Sequence, residues 1–361
     1  MKKIKLFDPI FDKKEEKEII RILKSGFWAS GSGNGRVLQF EKEFTKFIKT
    51  KSSVAVNSGT AALHLALSEI NIAEKEVILP SLSFVSTANA ILYNKGTPVF
   101  VDVDKKTLCI DPESIEKKIS KKTRAIIPVH FGGHPCNMEK ILAIAKKKNL
   151  KVIEDCAHSC GATYKNKKIG NHGDLCCFSF HPVKNLAMPT GGLITINTIN
   201  HEKNKKSLFE KRWCGITNRN GVKYDVKQAG WNYYMNEFSA GVGLMQLKKL
   251  DRLNKIRKNI ARKYHQELKI SEKMPLTNEC VYHFFWILVE NRDEFRKKFD
   301  DAGIETGIHY QPIHQMSLYK SKVKLVNTEN ISKRIVTLPT HPNLKKSEID
   351  KIIKLANSII K

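Results

Sequence analysis

Short runs of β-branched and aliphatic residues recur along the first two-thirds of the chain, and each is followed by a segment with helical spacing. Ser53-Val54-Ala55-Val56 reads as a strand and Thr60 to Leu67 as its helix; Val77-Ile78-Leu79 is followed by a helix over Val85 to Tyr93. Val99-Phe100-Val101 then pairs with Pro112 to Ile119, and Ala125 to Val129 with Met138 to Lys147. Lys151-Val152-Ile153-Glu154 is a strand ending at Asp155, and Leu175 to Phe180 is another. Near-continuous apolar strands alternating with helices predict an α/β fold with a mostly parallel central sheet, covered on both faces. Right-handed crossovers put the carboxyl ends of such strands along one edge, where ligands bind.

The last third has a different pattern. Leu244 to Tyr264 reads as a long amphipathic helix leaving the large domain, and Phe284, Trp286 and Leu288 alternate as in a strand of a second sheet. Two domains follow: residues 1–245, including the N-terminal segment, and a smaller C-terminal α/β domain over residues 246–361. The stretch SGFWASGSGNGRV from Ser25 suits either an active-site loop or an exposed linker.

At 361 residues and 41% hydrophobic, with a mean hydropathy of −0.36, the chain is long enough to bury a sizeable core. No stretch approaches the ~18 consecutive apolar residues of a membrane span, and Met1-Lys2-Lys3-Ile4 runs into charged residues without a secretory core. A soluble, cytoplasmic protein without membrane contact is expected. The net charge of +27 raises the question of nucleic acid. Yet the lysines are spread through every helical segment, with no arginine-rich arm and no aromatic ladder, so no nucleic-acid partner is predicted. The positive field favours an anionic small molecule instead. Among the eight cysteines, the cluster Cys156, His158, Cys160, His172, Cys176, Cys177 and His181 lacks the paired C-x2-C spacing of zinc ribbons, so no metal is predicted.

Candidate chemistry sits at the predicted strand ends. Asn57-Ser58-Gly59-Thr60 joins a strand to a helix, where free amides and the Thr60 hydroxyl can hold a phosphate; an ordinary helix cap would read the same. Asp155 ends an apolar strand, where a buried carboxylate calls for a cation, although a loop aspartate capping the next turn is the plainer alternative. Ser179 and Lys184 leave the sheet together around Pro182, ahead of Gly191-Gly192. An amine there could do covalent chemistry or be one more solvated lysine.

In order along the chain, NSGTAALHLAL, PSLSFVSTANAI, FVDVD, AIIPVHFGG, VIEDCAHSCGATY, FSFHPVKN, GWNYYMNEFSAGVGLMQLKKLD and GIHYQPIH resemble the DegT/DnrJ/EryC1/StrS sugar aminotransferases. The resemblance runs from about Ser25 to the C-terminus. It implies fold type I of the pyridoxal-phosphate-dependent (PLP-dependent) transferases, the aspartate-aminotransferase-like fold, and a cytoplasmic homodimer with active sites shared between subunits. It also implies pyridoxal 5'-phosphate as cofactor, glutamate as amino donor and a nucleotide-linked keto sugar as acceptor. By position, Lys184 would carry the covalent link to the cofactor and move the proton, and Asp155 would pair with the pyridinium nitrogen. Phe84 would lie against the ring and His158 beside it. Gly59, Thr60 and Ser179 would hold the phosphate, with Asn232 reaching in from the partner subunit. His309 and Tyr310 fall in the sugar-contacting segment.

Two departures stand out: Pro189-Thr190-Gly191-Gly192 lacks the usual acidic residue, and Tyr234 stands where many relatives have arginine. A PLP-dependent sugar dehydratase of the same fold typically has histidine at the position of Lys184, and a non-enzymatic regulator would be expected to have lost Lys184 or Asp155. The wording SFHPVKN resembles members that aminate C4 of a 4-keto-6-deoxy hexose, for surface polysaccharide or glycan synthesis, more than those that aminate C3.

Overall fold

The computed structural model describes residues 3–359. In chain order the strands are β1 (Ser52–Val56), β2 (Glu76–Pro80), β3 (Thr97–Val101), β4 (Thr123–Ile126) and β5 (Lys151–Asp155). A short hairpin follows, β6 (Thr163–Tyr164) and β7 (Lys167–Lys168), and then β8 (Leu175–Ser179) and β9 (Gly192–Ile196). A second hairpin, β10 (Ile216–Asn220) and β11 (Lys223–Val226), precedes β12 (Phe285–Leu288) and β13 (Ile335–Leu338).

Seven of these strands form one sheet in the order β1-β9-β8-β5-β4-β2-β3. Every neighbouring pair is parallel except those made by β9, which runs antiparallel to both β1 and β8. The sheet is buried on both faces, as the unbroken apolar runs require: all five residues of β1 and all five of β9 are buried. Each aliphatic side chain so enclosed contributes about 1.5–3 kcal/mol relative to exposure. The helix Gly59–Ser68 opens on Ser58, whose Oγ accepts the Ala61 N–H, so β1 passes into a helix start at the sheet's edge.

β9 is the strand that the periodicity does not anticipate. Leu193-Ile194-Thr195-Ile196 is short and follows directly on Gly191-Gly192. The glycine is required for packing: a Cβ on Gly192 would stand 2.2 Å from the Ser58 carbonyl oxygen. The predicted strand over Ala125 to Val129 ends early, at Ile126, because Pro128 has no N–H for the ladder; Val129 makes only an isolated bridge to Asp155.

The predicted long helix is longer still, running from Glu237 to Glu267 with Asn236 as its cap, so it passes straight through residue 245. Its first turns, rich in small residues, are buried all round and carry no amphipathic stripe for a sequence reading to find. β12 pairs antiparallel with β13, and all four of its residues are buried where alternation was expected. Among the described residues no helix is long and apolar enough to cross a membrane.

Candidate functional site

The carboxyl ends of β5 and β8, the loop after β8 and the start of the helix Gly59–Ser68 enclose a cavity of about 330 Å³. Ser58, Gly59, Thr60, Phe84, Asp155, His158, Ser179, Lys184, His309 and Tyr310 all line it. Asn232 does not. It is exposed, and its carbonyl oxygen accepts from the Asn57 side-chain amide at 3.3 Å.

Asp155 is 4% exposed. The Thr87 hydroxyl donates to Oδ2 at 2.8 Å and the Ala157 N–H to Oδ1 at 3.1 Å. Burial pushes its carboxyl above the ordinary aspartate value, and those two bonds together with the nearby charge of Lys184 only partly offset that. Such a carboxylate is short of a cation. Lys184 is pushed the other way: burial lowers its amine to about 8, against the raising influence of Asp155. An amine with that value holds about a tenth of its population neutral at pH 7, far more than an ordinary lysine, and the neutral form is able to attack a carbonyl.

The start of the helix Gly59–Ser68 is equally specific. Ala61 and Ala62 N–H groups bond to Ser58, which leaves the Gly59 and Thr60 N–H groups without a partner among the described residues. A Cβ on Gly59 would come 2.6 Å from the Ser179 Cβ, so only glycine lets the helix start sit this close to β8. The Thr190 hydroxyl donates to the Asn57 carbonyl oxygen at 2.6 Å, tying the loop after Lys184 to the loop after β1. One of the two sequence departures therefore has a structural task.

The opposite wall is aromatic. Phe84 is 56% exposed and stands 6.0 Å from the Tyr310 ring. The Tyr310 hydroxyl lies 3.0 Å from His158 Nε2, while His158 Nδ1 is buried with no partner among the described residues. His309 Nδ1 meets the Thr337 hydroxyl at 2.8 Å and its ring stacks on Phe284. Burial and the nearby Lys184 keep His158 and His309 far below the ordinary histidine value, His309 down to about 3.

Behind the cavity, Glu154 is fully buried beside Asp155. It accepts from His130 Nε2 at 3.0 Å, from the His172 N–H at 3.0 Å, from the Gly173 N–H and from the Cys176 thiol. Because His130 Nδ1 accepts the Cys136 N–H, the ring proton sits on Nε2. His130, Glu154 and Cys156 lie within 4.8 Å of one another, but the Glu154 oxygens are already taken up by these donors, so no metal is assigned to them.

Sequence reasoning did not single out Thr87, Glu154 or His283, and it marked Thr190 only as a departure from the family pattern. A signal existed for two of them: Glu154 is a charge inside an apolar strand, and Thr87 lies in the Ser/Thr-rich SFVST segment. The glycine-rich stretch after Ser25 contributes no residue to this cavity; Ser30 and Ser32 line another one, beside Trp213.

The single antiparallel strand within an otherwise parallel sheet, with a lysine-bearing loop and an aspartate at neighbouring strand ends, defines the fold-type-I architecture of PLP-dependent transferases. The model of the DegT/DnrJ/EryC1/StrS aminotransferase family matches residues 9–356, and the chain belongs to that family and is an aminotransferase. It is 35% identical to the spore coat polysaccharide biosynthesis protein SpsC of Bacillus subtilis, over 98% of this chain and 96% of that protein. It is 34% identical to the GDP-perosamine synthase of Escherichia coli O157:H7, over 99% and 98% respectively. Among solved structures, Helicobacter pylori PseC, an aminotransferase involved in the biosynthesis of pseudoaminic acid, superposes with a TM-score of 0.93, at 28% identity and covering 99% of both chains.

The Glu154 knot yields a stability prediction. Burial alone would raise this carboxyl, but His130 and the other donors hold it down to about 2, against an ordinary 4.5. A depressed carboxylate contributes stability above its unfolded value and loses it as pH falls, here progressively from about 4.5 down to about 2. The shift corresponds to about 3 kcal/mol. Unfolding free energy followed by denaturant titration from pH 6 to pH 3 is expected to fall more steeply in the wild type than in Glu154→Gln, which starts lower; equal slopes contradict the assignment.

Proposed function

We propose that this chain transfers an amino group from glutamate to C4 of a nucleotide-linked 4-keto-6-deoxy sugar in the cytoplasm, for surface polysaccharide or glycan synthesis. The observation that carries the reading is the pairing of a desolvated amine, Lys184, with a cation-seeking carboxylate, Asp155, across one cavity. The residues fit pyridoxal 5'-phosphate. Gly59, Thr60 and Ser179 would hold its phosphate, Asp155 its ring nitrogen, and Phe84 and His158 its ring. When bound, that group supplies an electron sink that takes the amino group from the donor and passes it to the keto carbon.

The chain's own residues supply the rest. Lys184 would anchor the cofactor covalently and, once freed, would move a proton at its Nζ, its neutral form taking one from the reacting carbon and its protonated form returning it. Asp155 stays ionised once a cation faces it, and so holds that cation protonated. His309 and Tyr310 face the same cavity and are assigned to the sugar, with their neutral rings excluding water without adding charge. The excess of lysines favours an anionic diphosphate substrate, consistent with the nucleotide-linked sugar. The names of the relatives, one in spore coat polysaccharide biosynthesis and one a GDP-perosamine synthase, support a sugar acceptor. In this reading the cofactor-binding domain extends to residue 245, and the smaller domain contributes His309 and Tyr310.

Asn232 is assigned to the phosphate of a second copy, which makes the active unit a homodimer. It is exposed here and outside its own chain's cavity, as a residue serving a partner would be.

Three experiments test these assignments. Borohydride reduction of the cofactor-loaded protein followed by peptide mass spectrometry is expected to find a pyridoxyl group on Lys184; Lys184→Ala abolishes turnover, and Asp155→Ala costs about 100-fold in kcat, about 2.7 kcal/mol. A label on another lysine sinks the assignment. Mixing Lys184→Ala with Asn232→Ala chains restores part of the activity through hybrid dimers, whereas a fully active monomer by light scattering contradicts the shared site. With glutamate and a panel of UDP-, GDP- and dTDP-linked 4-keto and 3-keto sugars, NMR of the product locates the new amine at C4. An amine at C3 overturns the regiochemistry, and loss of the 3-hydroxyl without amination points to a dehydratase.

A further inference from the structure

Asn185, the residue after Lys184, is 4% exposed and its side-chain amide is held at three points. Its Nδ2 donates to Asn254 Oδ1 at 2.8 Å, on the helix Glu237–Glu267, and to the Val281 carbonyl oxygen at 3.2 Å. Its Oδ1 lies 3.1 Å from His283 Nδ1. The polarity of this network follows from its ends. The Val281 carbonyl oxygen can only accept, which fixes the Asn185 amide. The Cys160 carbonyl oxygen, 3.0 Å from Asn254 Nδ2, fixes Asn254 in the same way. Asn185 Oδ1 is therefore an acceptor, and His283 Nδ1 must carry the hydrogen.

The His283 ring is itself clamped. It is 2% exposed, stacks on His158 at 4.6 Å between ring centroids and 21°, and on Phe7 at 5.3 Å and 18°. The residue's backbone N–H donates to the Gly132 carbonyl oxygen at 2.9 Å, and its backbone carbonyl oxygen accepts from Arg257 Nη1 at 3.4 Å. The charged and titratable groups around it are Lys184, Arg257, His158 and His309, and burial together with all four disfavours a cation on the ring. His283 is thus a neutral imidazole with one defined hydrogen. Through the stack it meets the cavity wall, and through Nδ1 it meets the lysine-bearing loop.

We propose that His283 is a positioning residue for the reacting amine: its Nδ1–H, through Asn185, fixes the loop that presents Lys184, and its ring sets the plane of His158 on the same cavity. This role of Lys184 as the reacting amine rests on the function proposed above. His283 touches neither cofactor nor substrate in this account. It couples three parts of the chain far apart in sequence, namely the N-terminal segment at Phe7, the loop after β8, and the segment entering β12.

The test uses the chain without added cofactor, so that its failure is separable from failure of the aminotransferase reading, which the borohydride label decides. Competitive acetylation of Lys184 by trace acetic anhydride, read by peptide mass spectrometry across pH 6 to 11, gives the apparent pKa of the amine and its reactivity. The wild type is expected to titrate near 8. His283→Phe keeps a stacking ring and removes the donor; a released loop rehydrates the amine, and the apparent pKa is expected to rise by about one unit or more toward the ordinary lysine value. His283→Asn places an amide N–H where Nδ1–H stood and is expected to retain the wild-type titration, whereas His283→Gln, which reaches the Nε2 position, titrates like His283→Phe. Thermal unfolding of each variant separates this effect from general loss of structure. Should His283→Phe fail to fold, the Asn and Gln variants decide alone: a shift in Gln but not in Asn supports the proposal, and identical titrations in the two overturn it. A wild-type titration in a folded His283→Phe overturns it as well.

Discussion

A carboxylate with no access to water, Glu154, organises the reactive edge of the sheet. Removing an ion of this size from water costs several kcal/mol unless hydrogen bonds replace the lost hydration. Here they come from the His130 ring, the His172 and Gly173 backbone and the Cys176 thiol, so the chain leading into β8 and the segment after β4 must converge on the end of β5. The next residue, Asp155, inherits its place from that convergence. Its own N–H bonds to the Pro128 carbonyl oxygen, and its carbonyl oxygen accepts from the His130 N–H. The cavity edge of the sheet is thus set by a hydrogen-bonded knot that lies behind the cavity and does not line it.

Two adjacent acidic residues on one strand therefore serve opposite ends. Glu154 is saturated with donors and held well below the ordinary carboxylate range, while Asp155 has only two donors and is held above it. The alternation of a strand explains the division, because neighbouring side chains face opposite sides. One acid locks the scaffold, and its neighbour is left with unmet electrostatic demand on the side where the cavity lies.

Much of this was legible in the sequence. Unbroken apolar runs gave the parallel strands, since burial on both faces removes the polar alternation, and the turn at Ser58-Gly59-Thr60, Asp155, Ser179 and Lys184 were readable as strand-end residues. All four line one cavity. β9 was not legible, because it is short and opens on Gly192, a residue imposed by the approach of Ser58 rather than by any local pattern. The first turns of the helix from Glu237 escaped for a related reason: full burial erases the stripe on which a helical reading depends. The network around Asn185 could not have been read at all. It joins residues 69 and 98 positions apart, and nothing in local periodicity reports contacts of that separation.

The antiparallel β9 also bears on how a ribosome delivers this chain. Within the sheet, β1 hydrogen-bonds to β9 alone, across roughly 140 intervening residues. At about 5–20 residues per second, the strand that leads into the Asn57–Thr60 turn is synthesised roughly 7–28 seconds before its partner. During that interval Val54-Ala55-Val56 is an apolar edge without a neighbour, of the kind that templates association between nascent chains.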